Sequence, residues 1–118
     1  MIKLLNFGST KVTHLMLAQI ERVLHGRAEV YYAEIDVPAD DSYLALAAGV
    51  RAALARAKRQ NDDMVVVILP DDGAVAAVIF FILCEHLRLA TRAVRVARVG
   101  KCWMEGREQP CIVELMKI

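Results

Sequence analysis

Met64 to Cys84 reads MVVVILP, then DDG, then AVAAVIFFILC. A run of β-branched residues ended by Pro70, a sharp acidic turn and a helix-length apolar run describe a strand, a loop and a helix at the centre of an α/β domain. The helix, expected over Ala74 to Cys84, is apolar on every side, whereas a helix covering a sheet needs only one apolar stripe. Its remaining face therefore calls for cover. Two covers are open: a second copy of the chain, giving a two-fold dimer, or the connection Lys101 to Pro110, whose Trp103 and Met104 would fold over it.

On the N-terminal side, Ile2 to Phe7 (IKLLNF) reads as a short apolar strand, and Gly8, Ser9, Thr10 and Lys11 as the loop into a helix ending near Leu24. Val12, Met16, Ile20, Val23 and Leu24 form its buried stripe, His14, Glu21 and His25 a polar one, and Gly26 stands where a C′ glycine ends a helix. Arg27 to Asp36 mixes charge with Tyr31, Tyr32 and Ile35, as a strand near a sheet edge does. Pro38, Asp40, Asp41 and Ser42 supply cap chemistry for an alanine-rich helix lasting to Arg59, with Leu46, Val50, Ala53 and Ala57 on one face. Asn61, Asp62 and Asp63 turn the chain into the central strand. On the C-terminal side, Arg92 to Gly100 reads as a fourth strand, Lys101 to Pro110 as a connection, and Cys111 to Ile118 as a last strand.

The order βαβαβαββ, with right-handed crossovers, gives an α/β, Rossmann-like fold. It is a mostly parallel sheet of order 2-1-3-4 with an antiparallel C-terminal edge strand and helices on both faces, in one domain over residues 1–118. Ligands of such sheets bind at the carboxyl ends of the strands, where the winding reverses. That places a site between Gly8-Ser9-Thr10-Lys11 and Pro70-Asp71-Asp72-Gly73.

The first loop carries the anion chemistry. Gly8 admits close backbone approach, Ser9 and Thr10 offer hydroxyls, Lys11 offers charge, and a helix N-terminus offers free N–H groups. The plainer roles are a cap for Ser9 or Thr10 and a solvated charge for Lys11. Asp71 and Asp72 would repel phosphate, so they face a ribose, a base amino group or solvent, or cap the third helix. His14, one turn on, titrates near neutrality and either assists proton transfer or lies on a polar surface. Along the fourth strand alternation sets Arg95 on one face and Arg92 with Arg98 on the other; Arg95 and Lys101 are the reserve cationic contacts. Neither GxxxxGK[ST] nor GxGxxG occurs.

Composition limits the partners. The net charge of +1 gives no basic surplus for duplex nucleic acid or an anionic membrane. Hydrophobic residues form 57% of the chain, above the roughly 45–50% of ordinary domains. Yet the longest apolar run is broken at Pro70 to Gly73, short of the roughly 18 residues of a membrane span. With no signal-peptide pattern at the N-terminus, a cytoplasmic location is expected. Cys84, Cys102 and Cys111 lack metal-ligand spacing, so no metal and no cofactor are expected. Cys102 and Cys111 flank one connection, but reduced thiols are the expectation for a cytosolic chain.

LLNF at Leu4 to Phe7, the Ser/Thr loop, and AQIERVLHG at Ala18 to Gly26 resemble the start of a group of small accessory proteins of type III CRISPR systems. These are ring-nuclease-like relatives of the CARF-like sensor domains that bind cyclic oligoadenylate. Ile68 to Gly100 resembles the same group's strand, proline turn, alanine-rich helix and basic strand, so the likeness spans about half the chain. Where the group carries Ser-His-Pro in its first loop, this chain has Gly8-Ser9-Thr10.

The resemblance implies a homodimer whose cleft binds cyclic oligoadenylate, with cyclic tetra-adenylate matching a two-fold axis; a ligand-bridged higher assembly is a further option. Asn6, Gly8, Ser9, Thr10 and Lys11 would contact phosphate and ribose. Three readings stay open. The chain sequesters the messenger and quiets the antiviral signal. Alternatively it is a metal-independent ring nuclease that sets a ribose 2′-hydroxyl in line with the next phosphate, Lys11 or His14 stabilising charge, and leaves 2′,3′-cyclic phosphate ends. Or it is a dimeric interaction module without a small ligand.

Overall fold

The computed structural model describes residues 1–32, 43–57, 64–87 and 94–117. In chain order these form β1 (Ile2–Asn6), α1 (His14–Leu24), β2 (Ala28–Tyr32), α2 (Tyr43–Ala57), β3 (Met64–Ile68), α3 (Gly73–Leu87), β4 (Val94–Met104) and β5 (Arg107–Lys117). The sheet order is β2-β1-β3-β4-β5, with the first four strands parallel and β5 antiparallel to β4. This is the Rossmann-like arrangement expected from the alternation of strands and helices. The charged β2 lies at an edge, and β3 lies in the middle, buried from Val65 to Ile68.

Alternation along the strands sorts two cores. Leu5, Val65, Val67 and Val94 point to the face covered by α2 and α3, where Leu46, Val50, Ala53, Ile79 and Leu83 meet them. Ile2, Leu4, Val66, Ile68 and Ala97 point to the other face, closed by Met16 and Ile20 of α1. At roughly 1.5–3 kcal/mol for each fully buried aliphatic side chain, these two layers dominate the stabilisation. Lys3, on the α2 face, is buried too; its Nζ donates to Glu29 Oε2 at 2.8 Å, and Tyr31 Oη donates to the same oxygen at 2.6 Å. The carboxylate and the tyrosine hydroxyl beside it raise the Lys3 pKa above its ordinary value, burial opposing them, while the ammonium and the tyrosine donor lower that of Glu29.

The helix ends differ from expectation. α1 begins at His14, because the hydroxyl of Thr13 accepts the Met16 N–H at 3.2 Å and caps the helix. Ser9 and Thr10 are therefore not its cap, and Val12 precedes the helix. Val23, expected in the buried stripe, is 60% exposed. The left-handed residue at the C-terminus is His25, with φ 54°, rather than Gly26. Gly26 lies beside Ile2, whose Cδ1 would make an ordinary 3.4 Å contact with an added Cβ. α3 is longer than the stretch Ala74 to Cys84, and it leaves Phe80 and Phe81 at the surface as its all-round hydrophobicity requires. The expected cap at Pro38 to Ser42, the end of α2 at Lys58 and Arg59, the turn at Asn61 to Asp63, residues 33–36 of the second strand, and Arg92 lie outside the described residues.

The largest correction concerns Lys101 to Pro110. These residues are not a loose connection but the ends of β4 and β5, joined by a two-residue turn at Glu105 and Gly106 with φ of 53° and 77°. Positive φ at both positions matches the turn twist to that of the strands. Pro110 is tolerated because β5 is an edge strand. The Cys102 and Cys111 thiols, expected reduced, form a disulfide with Cα atoms 5.9 Å apart, a spacing that the hairpin itself provides. Cys84 is free. Nor do Trp103 and Met104 cover α3. Trp103 is 73% exposed, and β5 packs against α1, where the Gln19 amide donates to the Ile112 carbonyl and accepts the Ile112 N–H.

Candidate functional site

β3 stops pairing with β4 at Ile68 opposite Ala97, and β1 ends at Asn6 beside Ile68. Beyond that line β4 continues as an arm with β5 over residues 98–104, a reach of roughly 20 Å at about 3.3 Å per residue. Between the arm and the strand ends lies a cleft of about 250 Å³. Gly8 and Thr10 line it from the first loop, Ile68, Leu69, Pro70 and Asp71 from the end of β3, Val96, Ala97, Arg98 and Val99 from β4, and Met116 from β5. Its position is the switch point, with α1 on one face of the sheet and α3 on the other.

The first loop is shaped from behind by Asn6. Its side chain is 1% exposed, with Nδ2 donating to the Thr10 carbonyl at 2.8 Å and Oδ1 accepting the Gly8 N–H at 2.9 Å. Asn6 is thus a positioning residue, its amide spent on the loop. Gly8 passes so close to β3 that an added Cβ would lie 3.3 Å from the Leu69 carbonyl oxygen and 3.3 Å from Asn6 Oδ1. Farther along, the Val12 N–H donates to Tyr32 Oη at 3.2 Å, tying the loop to the end of β2. Ser9 Oγ donates to Asp71 Oδ2 at 3.3 Å across the mouth of the cleft.

Gly8, Thr10, Pro70 and Asp71 therefore come together in one cleft, with Ser9 bridged to Asp71 at its rim. Others fall away from it. Lys11 and His14 are exposed and outside the lining. No residue of the α1 N-terminus is in the lining, and the first loop's contribution ends at Thr10. Asp72 caps α3, its Oδ1 accepting the Ala74 and Val75 N–H groups at 3.0 and 3.2 Å, and Gly73 is the first residue of that helix. Arg95 stands on the α1 face opposite Val66, its Nε buried without a hydrogen-bond partner among the described residues. Lys101 lies on the arm, 3.9 Å from Glu108.

The cation that does line the cleft is Arg98, which the sequence reading left out of its site. It is the first residue past the last β3–β4 pair, so counting register to the carboxyl edge would have found it three positions after Arg95. Its Nε lies 3.4 Å from Glu114 Oε2 in an exposed pair, whose partners exchange readily with a solvent or ligand anion. The lining thus combines an arginine, a carboxylate, a hydroxyl, close backbone and an apolar floor, which suits a nucleotide's phosphate, ribose and base edge. Among the described residues, Asp71 and Arg98 are the titratable side chains that line it. Among the described residues no cluster of His, Cys, Asp or Glu could hold a metal ion, and no helix is long and apolar enough to cross a membrane. Comparison with known proteins finds no matching family model, no matching curated protein and no matching solved structure.

Proposed function

We propose that the chain is a binding module for cyclic oligoadenylate, of the size of cyclic tetra-adenylate, that acts as a homodimer in the cytoplasm and quiets type III CRISPR signalling by sequestering the messenger. The carrying observation is the cleft at the switch point, with Arg98 on one side and the backbone of the Gly8 loop on the other. At about 250 Å³ it lies below the roughly 300–1,000 Å³ of a pocket enclosing a drug-sized ligand. One copy would hold a fraction of a four-nucleotide ring, and two clefts across a two-fold axis would hold opposite sides of it. Phe80 and Phe81, exposed on α3, are the apolar surface on which two copies would meet.

Binding is favoured over cleavage by what lines the cleft. Among the described residues that line it no histidine or lysine stands to stabilise developing charge, His14 stands outside, and the one carboxylate, Asp71, is engaged by the Ser9 hydroxyl. Labelled cyclic tetra-adenylate, incubated with the protein and recovered from the gel-filtration peak, is expected back intact at one ring per two chains. Linear product would replace sequestration by ring cleavage; failure to retain any ring size would leave an interaction module without a small ligand.

A further inference from the structure

We propose that the Cys102–Cys111 disulfide is a redox latch on the arm, regulating the cleft whose wall the arm extends; its effect on affinity rests on the binding function proposed above. Past Ala97 the arm has, among the described residues, no neighbouring strand except its own partner. Its root is tied to α1 by Gln19 at Ile112 and by Val99 and Ile112, which pack on the α1-side core, and beyond Gly100 the β4 strand of the arm is left to its partner. A two-stranded ribbon alone is marginal in water. The disulfide crosses this ribbon diagonally, since Cys102 pairs with Gln109 and Cys111 with Gly100. It sits between the turn at Glu105 and the cleft residues Arg98 and Val99. Closed, it fixes the ribbon and with it the path of Arg98. Open, it leaves that wall to the ladder, the Gln19 clamp and the packing of Val99 and Ile112 on α1.

The two sulfurs differ in access. Cys111 is fully buried, while Cys102 is half-buried beside exposed Trp103. A dithiol reductant therefore attacks through its thiolate at the Cys102 sulfur. The Cys102–Cys111 bond breaks and Cys111 leaves as a thiolate that takes a proton. The reductant's second thiol displaces Cys102 from the mixed disulfide, so two cysteine thiols form and the reductant departs as its own disulfide. Two electrons and two protons balance. In a reducing compartment such a pair is a transient, sensing bond rather than a permanent staple.

The test compares oxidised and dithiol-reduced protein in a Cys84→Ser background, which removes the third thiol. Amide exchange over residues 98–112 is expected to accelerate on reduction by on the order of 100-fold, the loop-closure effect of a short span, with residues 2–6 unchanged. Trp103, the chain's one tryptophan, adds a fluorescence change on the same titration. Affinity for cyclic tetra-adenylate is expected to fall by about tenfold, and a Cys102→Ser/Cys111→Ser variant is expected to match the reduced protein under both conditions. Equal exchange at Arg98 and Val99 in the two states overturns the latch, as does faster exchange with unchanged affinity. Should no cyclic oligoadenylate bind either state, the binding function fails, and exchange at Arg98 and Val99 alone decides the latch.

Discussion

The cleft has two walls held by opposite means. The loop wall, residues 8–10, is short, and a buried amide from β1 fixes it from behind through two hydrogen bonds. The arm wall, Arg98 and Val99, is the root of a long ribbon held by its own ladder, one disulfide, a glutamine from α1 and the packing of Val99 and Ile112 on the α1-side core. The buried Asn6 amide makes the first wall costly to disturb, since its loss strips two part-buried backbone groups of their partners. In the second, Arg98 is exposed while Val99 packs on the α1-side core, so the cation is the part that is cheap to disturb. One cleft therefore joins a fixed backbone edge to an adjustable cation.

Asn6→Ala should break the contrast most. It leaves the Gly8 N–H and the Thr10 carbonyl without partners, at a cost of about 2–4 kcal/mol in denaturant unfolding. A loss under about 0.5 kcal/mol would mean the loop holds its shape unaided. Arg98→Ala should leave stability nearly unchanged, as exposed ion pairs contribute about 1 kcal/mol or less. Its affinity for cyclic tetra-adenylate should fall by about 1.5–3 kcal/mol in calorimetry, the size of a charge-assisted contact. Lys11→Ala should weaken binding less, and the reverse ranking would return the charge to the loop wall.

Within the arm, Gly100→Ala would set a Cβ 2.8 Å from Val113 Cγ1. Crowding a stiff β-branched neighbour should cost about 1–2 kcal/mol, and Val113→Ala should restore it in a double-mutant cycle. Asp72→Ala, touching neither wall, should lose about 1 kcal/mol in thermal or chemical unfolding, the value of the α3 cap. The smallest effect belongs to the strand under the loop wall. Glu29 has its pKa lowered by Lys3, so the pair's contribution is present above the ordinary carboxylate pKa and lost as pH falls through the folded value. The stability difference between wild type and Lys3→Met should be flat from about pH 5 to 9 and change below about pH 4. A flat difference down to pH 2 would remove the pair from the acid response.

The sheet was legible because its signals are long. The Val65 to Ile68 run could only be a buried strand, and three alternations of strand and helix leave few topologies. Half of the cleft followed, since the switch-point rule needs only strand ends, and Gly8, Thr10, Pro70 and Asp71 meet there. What failed depended on single residues. Three hydroxyls, Ser9, Thr10 and Thr13, compete to cap α1, and apolar spacing does not tell which one wins. Glu105-Gly106 is a hairpin signal that mixed charge and Pro110 obscure, and without the hairpin the nearness of Cys102 to Cys111 argues no disulfide and Arg98 has no cleft to line. Arg95 was favoured over Arg98 because alternation names a face but not how far along it the neighbouring strand stops.

The Gln19 clamp has a consequence for how copies of this chain can meet. Both polar groups of the Ile112 backbone turn away from β4 to reach the Gln19 amide, and two residues earlier Pro110 has no N–H at all. Consecutive docking points for an incoming strand are thereby closed along the outer rim of β5. A chain that is 57% hydrophobic and carries a long, solvent-facing ribbon is thus guarded against runaway edge-to-edge polymerisation. With the β5 rim closed, strand-to-strand contact between copies is left to the β2 edge, and contact through a single edge stops at a closed pair.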